Sequence, residues 1–128
     1  MIQYGFKKEV AGTVKETEEI VTGLLKKHGF GVLTRIDLGE KFREKLNVDY
    51  RDYVILGACN PPHAYQSVLA EEDIGLMLPC NVIIYEKGAK SIVSIIKPTA
   101  AMGMISNPKL TEEAEKVEEI LKSVFESL

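Results

Sequence analysis

Cys59, Asn60, His63 and Cys80 combine residue types that can do chemistry with spacings that let them meet. Two thiols and an imidazole are soft donors, and three such ligands suit zinc with one open position, or copper(I). Cys59 also precedes a helix start at Asn60-Pro61, where the positive end of the helix dipole favours thiolate. That makes Cys59 the candidate catalytic group, as nucleophile or redox centre. Pro61 and Pro62 remove two backbone donors at the same helix end, which weakens it as a phosphate or oxyanion cradle. The bland reading is that both cysteines pack as small hydrophobes. Asn60, His63, Cys80 and Asn81 are the candidate ligand-binding residues, and Cys59, His63 and Cys80 the candidate metal set. The spacing Cys-x3-His-x16-Cys matches no strong metal signature.

Other residues are read as structural. His28 ends a helix, where a cation meets the carbonyl end of the dipole. Met102 and Met104 flank Gly103 and suit irregular gaps in a core or an interface. Glu71, Glu72 and Asp73 fall at a helix end, where solvent reaches them. The sequence contains no Gly-rich phosphate loop, nucleophile elbow or zinc-protease motif, and no recognisable acid pair for general acid and base work.

Whether the two cysteines meet depends on the elements between them. Asn60 as cap and Pro61 as first residue predict a helix to about Glu72, with Ala64, Tyr65, Val68 and Leu69 inward. Such a helix advances about 18 Å, and an extended return over residues 73–79 spans about 23 Å. The return cancels the advance, so the strand opening at Cys80 should lie antiparallel to the strand ending at Cys59.

The remaining elements frame that pair. Ile2, Tyr4 and Phe6 alternate with polar residues over 2–8, as in a strand with one buried face. Thr13 and Glu16 form a capping box, and Val14, Thr17, Val21, Leu24 and Leu25 recur at helical spacing until Gly29. Residues 30–38 alternate as a second strand with Phe30, Val32, Thr34, Ile36 and Leu38 on one face. A short amphipathic helix follows through Phe42 and Leu46. Residues 53–58 are apolar on both parities, as in a central strand. Residues 81–85 and 91–96 form a hairpin around Gly88. Thr111 is the expected cap of a last helix with Val117, Ile120, Leu121 and Val124 inward, and Glu112 and Glu113 complementing its dipole. The expected fold is a single α+β domain over 1–128, a mainly antiparallel sheet of about five strands with two long helices on one face. The uncovered face then invites a homodimer.

Bulk properties narrow the partners. In 128 residues, 45% are apolar and 27% charged, with no apolar run long enough to cross a membrane. The beginning of the chain lacks a secretory pattern, which points to a cytoplasmic protein. A net charge of −3, with basic residues only in isolated pairs, argues against nucleic acid.

The segments Gly29-Phe30-Gly31-Val32-Leu33, Gly57-Ala58-Cys59-Asn60-Pro61 and Leu76-Met77-Leu78-Pro79-Cys80-Asn81-Val82, with Tyr85 and a closing Lys97-Pro98, resemble the prokaryotic family designated domain of unknown function 302. The resemblance spans nearly the whole chain. It implies a small α+β fold similar to one repeat of the TATA-box-binding-protein fold, seen as a dimer, without implying DNA binding. It transfers no catalytic residue. Three functions compete: a dimeric binding or sensing module taking a soft metal or small ligand near Cys59, His63 and Cys80; a thiol-dependent or redox enzyme using Cys59; and a non-catalytic assembly partner.

Overall fold

In a computed structural model that describes residues 2–128, the first half of the chain runs β1 (Gly5–Ala11), α1 (Val14–Lys27), β2 (Gly31–Asp37), α2 (Leu38–Leu46) and β3 (Tyr53–Cys59). The second half runs α3 (Pro61–Ala70), a 3₁₀ helix (Glu72–Met77), β4 (Cys80–Lys87), β5 (Lys90–Ile96), a short α4 (Pro98–Ala101) and α5 (Pro108–Glu126). The strands form one antiparallel sheet in the order β1-β5-β4-β3-β2. The α+β class and the five-stranded antiparallel sheet expected from the sequence are both present. Among the described residues, no helix is long and apolar enough to cross a membrane.

Local chemistry accounts for the two long helices. Thr13 accepts from the Glu16 N–H while the Glu16 carboxylate accepts from the Thr13 N–H, closing the predicted capping box on α1. Gly29 takes a positive φ of 86° just beyond the His28 cap. The last helix begins earlier than expected. Asn107, not Thr111, is its cap, accepting from the N–H groups of Lys109 and Leu110, with Pro108 at the first helical position. Val21 and Leu25 of α1 and Val117, Leu121 and Val124 of α5 meet Val54, Leu56, Val82, Ile84, Val93 and Ile95 from one face of the sheet. That layer is the main core.

Four further differences separate the structure from the sequence reading. β1 starts at Gly5, and Tyr4 is exposed. In β2 a bulge at Leu33 shifts the register between Val32 and Thr34, so the predicted single face is broken. Val32 still packs against the core, but Arg35 now lies opposite Leu56 while Thr34 and Ile36 face away. In α3 the residues expected inward, Tyr65, Val68 and Leu69, are exposed, and small Ser67 is buried in their place. The chain after α3 does not extend; it winds as the 3₁₀ helix and buries Ile74 against Met102, Leu110 and Ala114. Met102 therefore fills a core gap as expected, whereas Met104 is exposed.

Gly57 lets three segments close together. A Cβ there would fall 2.6 Å from Pro79 Cγ and collide with Thr34 Oγ1. Gly57→Ala is therefore expected to cost about 1–3 kcal/mol as an overpacked site, read as a lowered urea midpoint. An unchanged midpoint would show that Thr34 and Pro79 yield without strain.

Candidate functional site

Antiparallel pairing of β3 with β4 sets Ala58 opposite Cys80, so the two cysteines come to the same end of the sheet. The chain doubles back as the sequence predicts, although through a 3₁₀ helix. Both cysteines are free. They sit one residue out of register, and alternation directs Cys80 with Ala58 toward the helices while Cys59 starts from the opposite side of its strand. As the last residue of β3, Cys59 still borders the same cavity as Cys80.

That cavity holds about 270 Å³ between the end of the sheet, α3 and α5. Its walls are mostly apolar: Phe30 just before β2, Leu33 within β2, Ala58 from β3, Pro79 from the return, Met102, and Ala114 and Val117 from α5. Asn60, His63, Ser67 and the two thiols supply its polar atoms. Asn60 caps α3, its Oδ1 accepting from the His63 N–H at 3.3 Å. Ser67 Oγ donates to the His63 carbonyl at 2.8 Å, so its hydroxyl is already engaged.

The central feature is a pair the sequence reading missed. His63 Nδ1 lies 2.7 Å from Glu113 Oε2, linking α3 to α5 across 50 residues of sequence. The Glu113 side chain is 11% exposed and that of His63 is 26% exposed. A carboxylate at Nδ1 fixes that nitrogen as the donor, leaving Nε2 as an acceptor in the neutral ring or a donor in the cation. A signal was present. Leu110, Glu113, Ala114, Val117, Leu121 and Val124 share one helical stripe, and all are buried. A lone carboxylate on such a stripe is aimed inward at a partner.

Two expectations for the site do not hold. Among the described residues no group of three or more His, Cys, Asp or Glu side chains is placed to hold a metal ion, so Cys59, His63 and Cys80 do not assemble as the predicted zinc or copper(I) ligand set. The physical reason is visible in two places: the imidazole is turned onto Glu113, and the thiols leave their strands one residue out of register. Asn81 also stands apart. It pairs with Gly57, is exposed, and belongs to the open face of the sheet rather than to the cavity.

Burial opposes ionisation of both thiols. Burial pushes the Cys59 thiol above its ordinary value. Burial, reinforced by the neighbouring Cys59, raises Cys80 to about 11. Desolvation acts against the helix dipole that was expected to favour a Cys59 thiolate.

Residues 6–128 match the model of one protein family, the domain of unknown function DUF302. The chain belongs to this family. A crystal structure of an uncharacterized conserved DUF302 protein from Bacillus stearothermophilus is similar to it, with a TM-score of 0.90, 31% sequence identity and 98% of each chain covered. No curated protein matches the sequence significantly. In this DUF302 domain the segments that carried the resemblance are those that wall the cavity: Phe30 and Leu33, then Ala58 to Asn60, then Leu78 to Cys80.

Proposed function

We propose that this DUF302 domain is a binding module for a small, mostly apolar molecule bearing one polar group, held in the cavity beside His63. One observation carries the reading: an imidazole oriented by a buried carboxylate lines a mostly apolar pocket. Concave apolar sites with a few fixed polar atoms are the common form of small-molecule sites. The volume of about 270 Å³ equals roughly nine waters at ~30 Å³ each, which limits the occupant to a compact molecule. The neutral thiols add soft, weakly polar wall rather than nucleophiles. The same reading keeps a homodimer but moves its surface from the uncovered sheet face, where the sequence reading put it, to the exposed Tyr65 and Leu69 of α3.

Phenol and benzene provide the test, because they share a ring and differ in one hydroxyl. Phenol is expected to bind saturably, at about millimolar strength, and to shift the His63 ring resonances in NMR. Benzene should bind several-fold more weakly, and a chain with both His63→Leu and Glu113→Leu should lose the discrimination. Equal affinity for the two probes, or no saturable shift at His63, would overturn the proposal.

A further inference from the structure

The sheet face turned away from the helices carries a second concavity of about 450 Å³, lined by β1, β3, β4, β5 and the segment before β3. Its floor is aromatic. Tyr53 and Tyr85, directly opposite in the β3/β4 register, stack with centroids 5.2 Å apart and planes 8° from parallel. Tyr50 leans on Tyr53 at 6.5 Å.

Two cations share this floor. Lys7 Nζ and the Arg51 guanidinium each lie 6.0 Å from the centroid of the Tyr85 ring. Like charges gathered around one ring repel each other, and an ordinary surface relieves this with a nearby carboxylate. None is supplied here. No Asp or Glu lines the groove among the described residues, and neither cation takes part in any of the ion pairs there. The contrast with the rest of the molecule is sharp, since the chain as a whole carries −3. The concavity between α1 and β2 is lined by Glu18, Glu19, Asp37 and Asp52 against only Lys15 and Arg35. Asp52, the neighbour of Arg51, thus faces that acidic side. Asn81 and Ser94 complete the groove with neutral hydrogen-bonding groups.

We propose that this open sheet face is a second ligand site, for a planar aromatic anion whose ring packs on the Tyr53–Tyr85 stack and whose charge sits between Lys7 and Arg51. Aromatic faces take planar rings in offset or edge-to-face contact, and a guanidinium and an ammonium that reach the same ring can both pair with a carboxylate or phosphate packed on it. This goes beyond the cavity reading and shares no residue with it. It also gives Asn81 a role at a different site from the one its sequence neighbours occupy.

The probe is 2-aminobenzoate, set against its neutral amide, 2-aminobenzamide, and against acetate, which keeps the charge and lacks the ring. The chain has no Trp, so tyrosine emission can report on the stack directly. The acid is expected to bind saturably, about tenfold tighter than the amide, and acetate should not bind measurably. Lys7→Met and Arg51→Met should each weaken the acid about fivefold, together by tenfold or more, and raised salt should do the same. Both positions are exposed, so the fold is expected to survive either change. Adenosine 5′-monophosphate in a parallel titration distinguishes a phosphate-bearing source from a carboxylate. The double change His63→Leu/Glu113→Leu should leave all of this binding intact, which separates the outcome from that of the cavity. Equal binding of acid and amide, unaltered binding in the Lys7/Arg51 double variant, or loss of binding as a second copy covers the face would each overturn the proposal.

Discussion

Replacing His63 with Leu is expected to destabilise the fold by about 2–4 kcal/mol at neutral pH, and a second change, Glu113→Leu, is expected to return most of it. Glu113 has a side chain that is 11% exposed and whose only hydrogen bond among the described residues is to His63. Removing the imidazole leaves a carboxylate facing an apolar wall without a partner. Losing one member of a buried pair typically costs about 3–5 kcal/mol. The His63 side is 26% exposed, so water admitted there lowers the figure. Replacing both partners by apolar groups removes the orphan, and such swaps are close to neutral in well-packed sites. Urea unfolding of the two single variants and the double variant measures the coupling. A harmless His63→Leu, or a double variant no better than the single, would show that the contact does not hold α3 to α5.

That pair also marks where reading the sequence stops. The meeting of Cys59 and Cys80 was legible because it depends on chain reach. A helix of ten or twelve residues followed by a short return brings β4 back beside β3 whether the return is extended or 3₁₀. The α1 cap was legible because Thr13 and Glu16 satisfy each other locally. The strand β2 was legible but its faces were not, since a one-residue bulge at Leu33 inverts every later side chain and leaves no mark in the alternation. In α3, Tyr65 and Leu69 look like an inward face, yet the space beneath the helix is taken by the cavity and admits Ala64 and Ser67. Glu113 hid among the many acids of α5, and its partner lies on another helix far back in sequence. The site residues were thus half visible: one bank of the cavity is local to the motif 57–63, while the other comes from a helix whose polar pattern reads as solvated.

Cys80 should make stability fall on the alkaline side in a way that a single substitution removes. Burial raises this thiol from the ordinary 9.0 to about 11 in the folded chain. Below about pH 9 both the folded and the unfolded protein keep the proton, and the full stability is present. Above that, the unfolded chain releases its proton while the folded chain still holds it, so each unit of pH favours unfolding until the folded thiol also ionises near 11. Two units at about 1.4 kcal/mol each predict a loss of about 2–3 kcal/mol across this window. Cys80 is only 8% exposed, so solvent screening removes little of it. Other groups contribute on the alkaline side too, Tyr53 among them, raised by burial and its tyrosine neighbours. Those contributions are common to the parent and to Cys80→Ala, and they cancel in the difference between the two. Cys80→Ala should therefore start less stable at pH 8 by the small cavity it leaves, and the gap should close or reverse by pH 11. Parallel urea curves whose separation stays constant over that range would mean that water or a rearranged strand end already solvates the thiolate, and the cavity wall at Cys80 would then be wetter than its burial indicates.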